Sequence, residues 1–168
     1  MSRGFVKEDD QEEPVFIPPR APLPQGFENL VTPHGLQMLA GEKAALEDSR
    51  AAVQLPDGPA RRRELAEING RIALVEQRIA SARVVEKNSG NGNDVRFGST
   101  VSFRIEHGPQ QGTDRTFTLV GVDEARITEG KIAYTAPIAQ ALLGRKAGET
   151  FDFALGAGVQ HIRVTAVA

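Results

Sequence analysis

The chain has no cysteine and no tryptophan among its 168 residues. Without thiols, disulfides, thiolate nucleophiles, zinc ribbons and iron–sulfur clusters are excluded. Aromatic residues make up only 5% of the chain, with a single tyrosine. That is too few for the base-stacking platforms of a single-stranded nucleic-acid binder. The three histidines, His34, His107 and His161, show no metal-ligand spacing. The formal net charge is -2, so no global basic field draws in nucleic acid. No apolar run approaches the roughly 20 residues that span a bilayer, and Met1 to Asp10 lacks the apolar core of a leader peptide. A cytoplasmic location and no membrane partner are expected. Phosphate loops, dinucleotide fingerprints and serine elbows are also missing from the sequence.

What remains is enough for a folded protein. Hydrophobic residues are 40% and charged residues 25%, and the length suits one ordinary domain or two small ones. Residues 1–31 read as an acidic, proline-rich arm. Glu8, Asp9, Asp10, Glu12 and Glu13 cluster ahead of prolines 14, 18, 19, 22 and 24. Such a segment cannot form a helix interior and buries little. It is expected to be disordered or to lie along a surface, with Phe5, Val15, Phe16 and Ile17 as its apolar residues.

Residues 32–86 read as a helical hairpin. Thr32 suits an N-cap and Pro33 the first helical position. Leu39, Leu46 and Val53 repeat every seven residues, while Lys43 and Arg50 interrupt the seam. Leu55-Pro-Asp-Gly-Pro59 turns the chain. Beyond it, Leu65, Ile68, Ile72, Val75, Ile79 and Ala82 follow the 3-4 spacing of a coiled-coil seam. The short turn predicts antiparallel neighbours, each of about 23 residues and ~35 Å long. Residues 87–94 are a polar, glycine-rich linker.

From residue 95 the apolar period changes to two, at Val101, Phe103 and Ile105, then Phe151, Phe153 and Leu155, then Ile162 and Val164. Phe117 to Val122 reads as another strand. Ala136 to Leu143 reads as one short helix, with Thr135 placed for a cap, Pro137 in its first turn and Gly144 as its stop. The fold class is α+β.

Two charged features stand at the hairpin turn. Arg61, Arg62 and Arg63 begin the second helix, where cations oppose the macrodipole at ~0.3–1 kcal/mol each. Asp57 and Glu64 are the carboxylates nearest the tip. No catalytic constellation with specific spacing is present.

Several local sequences, in order, resemble the bacterial Gre transcript-cleavage factors. These are Val31-Thr-Pro-His-Gly-Leu36, Arg71-Ile-Ala-Leu-Val-Glu76 with Ala80-Ser-Ala-Arg-Val-Val85, Phe97-Gly-Ser-Thr-Val101, Val120-Gly-Val-Asp-Glu-Ala125 and Ala136-Pro-Ile-Ala-Gln-Ala-Leu-Leu-Gly-Arg-Lys146. Together they span residues 31–168. The resemblance implies a coiled-coil N-domain and an FKBP-like C-domain at 95–168. It implies RNA polymerase as partner, with the C-domain at the rim of the secondary channel and the hairpin directed inward. Contact with nucleic acid in the elongation complex, DNA included, would be indirect. It also assigns polymerase docking to Asp123 and to the loop of Ala136, Pro137 and Ile138. Family members commonly carry Ser at the position of Ala136.

The tip departs from the family. Cleavage-active members present an Asp-x-x-Glu pair that helps hold the polymerase's second magnesium. Here Asp57 and Glu64 are seven residues apart, ~10 Å along a helix and too far for one ion with ~2.1 Å ligand bonds. The hairpin is also shorter by roughly two turns per arm, ~10 Å of reach. In this it is more similar to the regulator of nucleoside diphosphate kinase. The expected function is therefore a monomeric accessory factor, not itself an enzyme. It would dock on the polymerase with weak or no stimulation of cleavage, and would hold no cofactor beyond the polymerase's own magnesium. The alternatives are a cleavage-competent factor using Asp57 and Glu64, an FKBP-like prolyl isomerase or chaperone, and a coiled-coil interaction module.

Overall fold

The structure, a computed structural model, describes residues 14–86, 93–156 and 158–168. The acidic cluster, Phe5 and most of the glycine-rich linker lie outside the described residues.

The first helix, α1, spans Pro33–Ala51. Thr32 caps it in extended backbone, its hydroxyl accepting the Gly35 N–H at 2.9 Å, and Pro33 occupies the first turn. The helix closes at Ala52, whose N–H reaches the Asp48 carbonyl, and stops short of the predicted seam residue Val53. At 19 residues it is ~28 Å long, shorter than expected. The second helix, α2, spans Pro59–Ala80, ~33 Å. Gly58 precedes it and supplies no side-chain cap.

The α2 seam is oriented as its spacing predicts. Ile72 and Val75 are buried, and Leu65, Ile68, Ile79 and Ala82 are half-buried beside them. Leu39 of α1 and Val75 of α2 form a buried cluster with Val31, flanked by Leu36, Leu46, Ile79 and Ala82. Burying a side chain of this size contributes ~1.5–3 kcal/mol, and most of that burial sits at the base of the hairpin. The polar interruptions of the seam find partners within the hairpin. Lys43 pairs with Glu76 across the helices at 2.9 Å, and Arg50 donates to the Asn69 side chain at 3.3 Å. Both interruptions therefore have partners inside the hairpin.

Two short strands tie the hairpin ends together. Strand β1, Leu30–Val31, runs parallel to β2, Arg83–Val84. Just before β1, the buried side chain of Asn29 donates to the Arg78 carbonyl at 2.8 Å and to the Ser81 hydroxyl at 3.1 Å. It thereby gives a donor to one carbonyl in the last turn of α2 and to the C-cap hydroxyl.

The remaining strands form one sheet: β3 Thr100–His107, β4 Asp114–Val120, β5 Lys131–Ala133, β6 Thr150–Leu155 and β7 Gly158–Val167. Their order is β5-β4-β3-β7-β6, antiparallel except for the β4–β5 pair. Val101, Phe103 and Ile105 bury one face of β3, joined by Leu119, Ile162 and Val164. A short helix, α3, Pro137–Leu142, covers that face with Ala139 and Leu142, both fully buried. Its N-cap is Ala136 rather than Thr135, and Ala136 has no side chain that can accept a bond. Gly144 follows in the left-handed region at φ 80°, a conformation that favours glycine. The period-two pattern thus found β3, β6 and β7. It missed β5, which has only three residues.

Thr32 carries one measurable consequence. Thr32→Ala removes the α1 cap and also a bond to the body described below. A cap of this type contributes ~0.5–2 kcal/mol, so the variant should lose ~1–2 kcal/mol in urea unfolding, and Thr32→Ser should recover most of it.

Candidate functional site

The tip is the first candidate. Asp57 projects from the turn with its side chain 96% exposed, and Arg61 holds it at 2.9 Å, four residues on. Arg61 is half-buried, whereas Arg62, Arg63 and Glu64 are exposed. Glu64 lies on α2 five residues past Pro59, ~7.5 Å into the helix. The carboxylate nearest the turn is therefore paired with a cation of its own helix. No group of three or more His, Asp or Glu side chains is placed to hold a metal ion among the described residues. Asp57 in the turn and Glu64 inside α2 do not form the Asp-x-x-Glu arrangement.

The second candidate is the joint between hairpin and body, on the connection after β4. Gly121 lets the β1 backbone approach closely: a Cβ there would stand 2.5 Å from the Leu30 carbonyl oxygen. The next acidic residues, Asp123 and Glu124, both point into this joint. Glu124 is 5% exposed. It accepts a short bond from the Thr32 hydroxyl, which in turn accepts the Gly35 N–H. A buried carboxylate therefore sits at the α1 N-terminus, where the helix dipole favours negative charge. Lys131 adds a cation 3.6 Å away. On the same side, the Tyr134 hydroxyl donates to the Glu28 carbonyl at 2.5 Å, and burial pushes its pKa up. Tyr134 also meets Phe27 and Phe97 edge-to-face.

Asp123 is not offered to solvent as a free docking acid. Its side chain is 9% exposed and lies between two guanidinium groups. Arg20 donates to Oδ1 from Nε at 3.1 Å and from Nη2 at 2.9 Å. Arg78 of α2 faces Oδ2 at 3.0 Å. Its N–H is not aligned for a hydrogen bond, so the buried Oδ2 has an ion pair but no donor. Arg20 also pairs with Glu42 of α1 through 2.7 and 2.9 Å bonds. That contact, outweighing burial, holds its pKa above the ordinary guanidinium value.

Residues 14–31, the described part of the arm, thus lie along the surface and are anchored. Arg20 joins α1 to the body, Arg78 donates to the Ala21 carbonyl at 2.5 Å, and Ile17 packs over Gly70 of α2. Proline spacing shows why no helix forms there, but not where Arg20 lands.

The third candidate is the face beside α3. Ala136 is half-buried, Pro137 exposed and Ile138 half-buried. Ile138 borders an apolar cleft with Phe103, Phe117, Phe153, Leu155 and Ile162. The resemblance pointed to Ile138 and Asp123, and the local pattern to Thr32 as a cap, but neither indicated Arg20, Arg78 or the Thr32–Glu124 bond. These contacts join residues distant in the chain, which local patterns do not mark.

No helix in the described residues is long and apolar enough to cross a membrane. Residues 90–168 match the family model described as transcription elongation factor, GreA/GreB, C-term. A transcription elongation factor GreA from Anaeromyxobacter sp. (strain K) is 41% identical over 101 residues, 60% of this chain and 59% of that one. The GreA of Hyphomonas neptunium is 32% identical over 127 residues, 74% of this chain and 79% of that protein. Among solved structures, a GreA/GreB elongation factor from Nitrosomonas europaea aligns over 84% of this chain and 98% of its own, at 23% identity and a TM-score of 0.41. With a hairpin, a small α+β body and relatives of this extent, the chain belongs to the GreA/GreB family of transcription elongation factors.

Proposed function

We propose that this protein docks on RNA polymerase at the secondary channel and modulates elongation without effective stimulation of transcript cleavage. The body would grip the rim of the channel through the Pro137–Ile138 face and its apolar cleft, and the hairpin would enter the channel. The observation that carries the second half is the tip. Asp57 is bound by Arg61, Glu64 stands on the helix beyond it, and Arg61, Arg62 and Arg63 lie between them in the chain. A site that recruits magnesium needs converging, uncommitted carboxylates. Arginines at the same place favour phosphate oxygens instead, so contact with nucleic acid in the complex would run through Arg61, Arg62 and Arg63.

The test uses backtracked elongation complexes with magnesium, followed by the RNA 3′ end on a gel. The expected result is no cleavage above the intrinsic rate, together with slower cleavage when a genuine cleavage-active Gre factor competes in the same tube. Added cleavage that disappears in Asp57→Ala or Glu64→Ala would overturn the non-cleaving half. Unchanged action of the competitor at saturating protein would overturn the docking.

A further inference from the structure

The segment 14–24 has no helix or strand, yet it touches three elements. Ile17 covers Gly70 so closely that a Cβ at Gly70 would lie 1.9 Å from Ile17 Cδ1. Arg20 bridges Glu42 of α1 and Asp123 of the body. The Ala21 carbonyl takes a bond from Arg78 of α2. Prolines at 18, 19, 22 and 24 restrict the unbound chain, which lowers the entropy lost on laying it down. Its hold is nonetheless a handful of side-chain contacts, the kind of segment that opens well before the global fold does. Arg20 is the only group on Asp123 Oδ1 among the described contacts, while Arg78 stays on Oδ2.

We propose that residues 14–24 form a displaceable strap that masks Asp123, so that a partner's cationic surface reaches this carboxylate only when Arg20 lifts away. For its partner, the masking rests on the polymerase docking proposed above, with Asp123 as a further contact besides the Pro137–Ile138 face. With the strap down, Asp123 belongs to the joint. With it up, Oδ1 and Glu42 are both uncovered on the face that joins hairpin to body. The same chain would then have a self-limited and an open form, differing in the placement of about ten residues.

Two substitutions release the strap at different contacts. Arg20→Ala removes its anchor. Gly70→Ala evicts Ile17 while improving the intrinsic propensity of α2, so its effect cannot be assigned to a damaged helix. Ile17→Ala combined with Gly70→Ala clears the clash and leaves Arg20 free to re-seat. Hydrogen exchange of the full chain reads the strap directly, and binding to core RNA polymerase reads the mask. In both single variants, exchange at residues 14–24 should rise by about tenfold or more and polymerase affinity should rise several-fold. The double variant should return toward wild type in both. Unchanged exchange in Arg20→Ala and Gly70→Ala would overturn the strap. Raised exchange with equal or weaker polymerase binding would overturn the mask. If wild type and released forms alike leave polymerase unbound, the docking fails and the mask with it, while exchange still reports on the strap.

Discussion

Asp123→Ala should lower the unfolding free energy by about 3 kcal/mol, measured in urea by circular dichroism. The carboxylate pairs with both Arg20 and Arg78 in that joint, with arginine side chains 17% and 12% exposed respectively. Removing one partner of a buried ion pair costs ~3–5 kcal/mol, because the remaining charges lose compensation they cannot regain from water. The lower end applies here. Arg20 keeps Glu42, and Arg78 keeps the Ala21 carbonyl. Asp123→Asn, which keeps shape and one acceptor, should cost less. Arg20→Ala should also cost less, since Asp123 then retains Arg78. A loss below about 0.5 kcal/mol for Asp123→Ala, the range of ordinary surface changes, would show that the joint does not depend on this carboxylate.

Gly121→Ala is expected to cost ~1–3 kcal/mol, the range for forcing atoms into a packed site. The new Cβ would meet the backbone oxygen of Leu30 at 2.5 Å and the Val31 Cα at 3.5 Å. Neither can rotate aside as a flexible side chain would, so β1 must shift away from the body. That shift would disturb the Tyr134 bond to Glu28 and the Glu124 bond to Thr32 together, since both run through the same stretch of chain. Gly41→Ala is the matched control. It lies on α1 with nothing within 4 Å of a new Cβ, and helix propensity alone should make it stabilising by ~0.8–1 kcal/mol. Opposite signs from the same chemical change would separate close approach from backbone entropy. Equal signs would contradict the packing described at Gly121.

The two variants probe one design. A projecting hairpin has a single buried seam and gains little rigidity from its own length. Its direction relative to the body is set at the base, by β1 against Gly121, Glu124 at the α1 N-terminus and Asp123 between two arginines. Because these contacts share a few consecutive residues, a change at one should propagate to the others. Combined variants such as Thr32→Ala with Gly121→Ala should therefore be non-additive.

The hairpin and most of the sheet were legible in the amino-acid sequence. Local steric and hydrophobic rules act within one or two turns, so the Thr32 cap, the α2 seam and the alternation of Val101, Phe103 and Ile105 could be read directly. The tip's departure from an Asp-x-x-Glu pair was also legible, since Asp57 and Glu64 are seven residues apart, although Asp57 lies in the turn and only Glu64 on α2. Short elements without a periodic signature were not legible: β1, β2 and β5 have two or three residues each and exist because a neighbouring backbone is present to pair with. Tertiary structure alone decided the fate of the charges. Nothing near Arg20 in the chain indicates Asp123, 103 residues away, and nothing near Thr32 indicates Glu124. The placement of an ion pair depends on which desolvated surfaces the fold brings together, and periodicity carries no information about that. The arm shows the division most clearly. Its prolines decided what it cannot be, and the joint between hairpin and body decided where it lies.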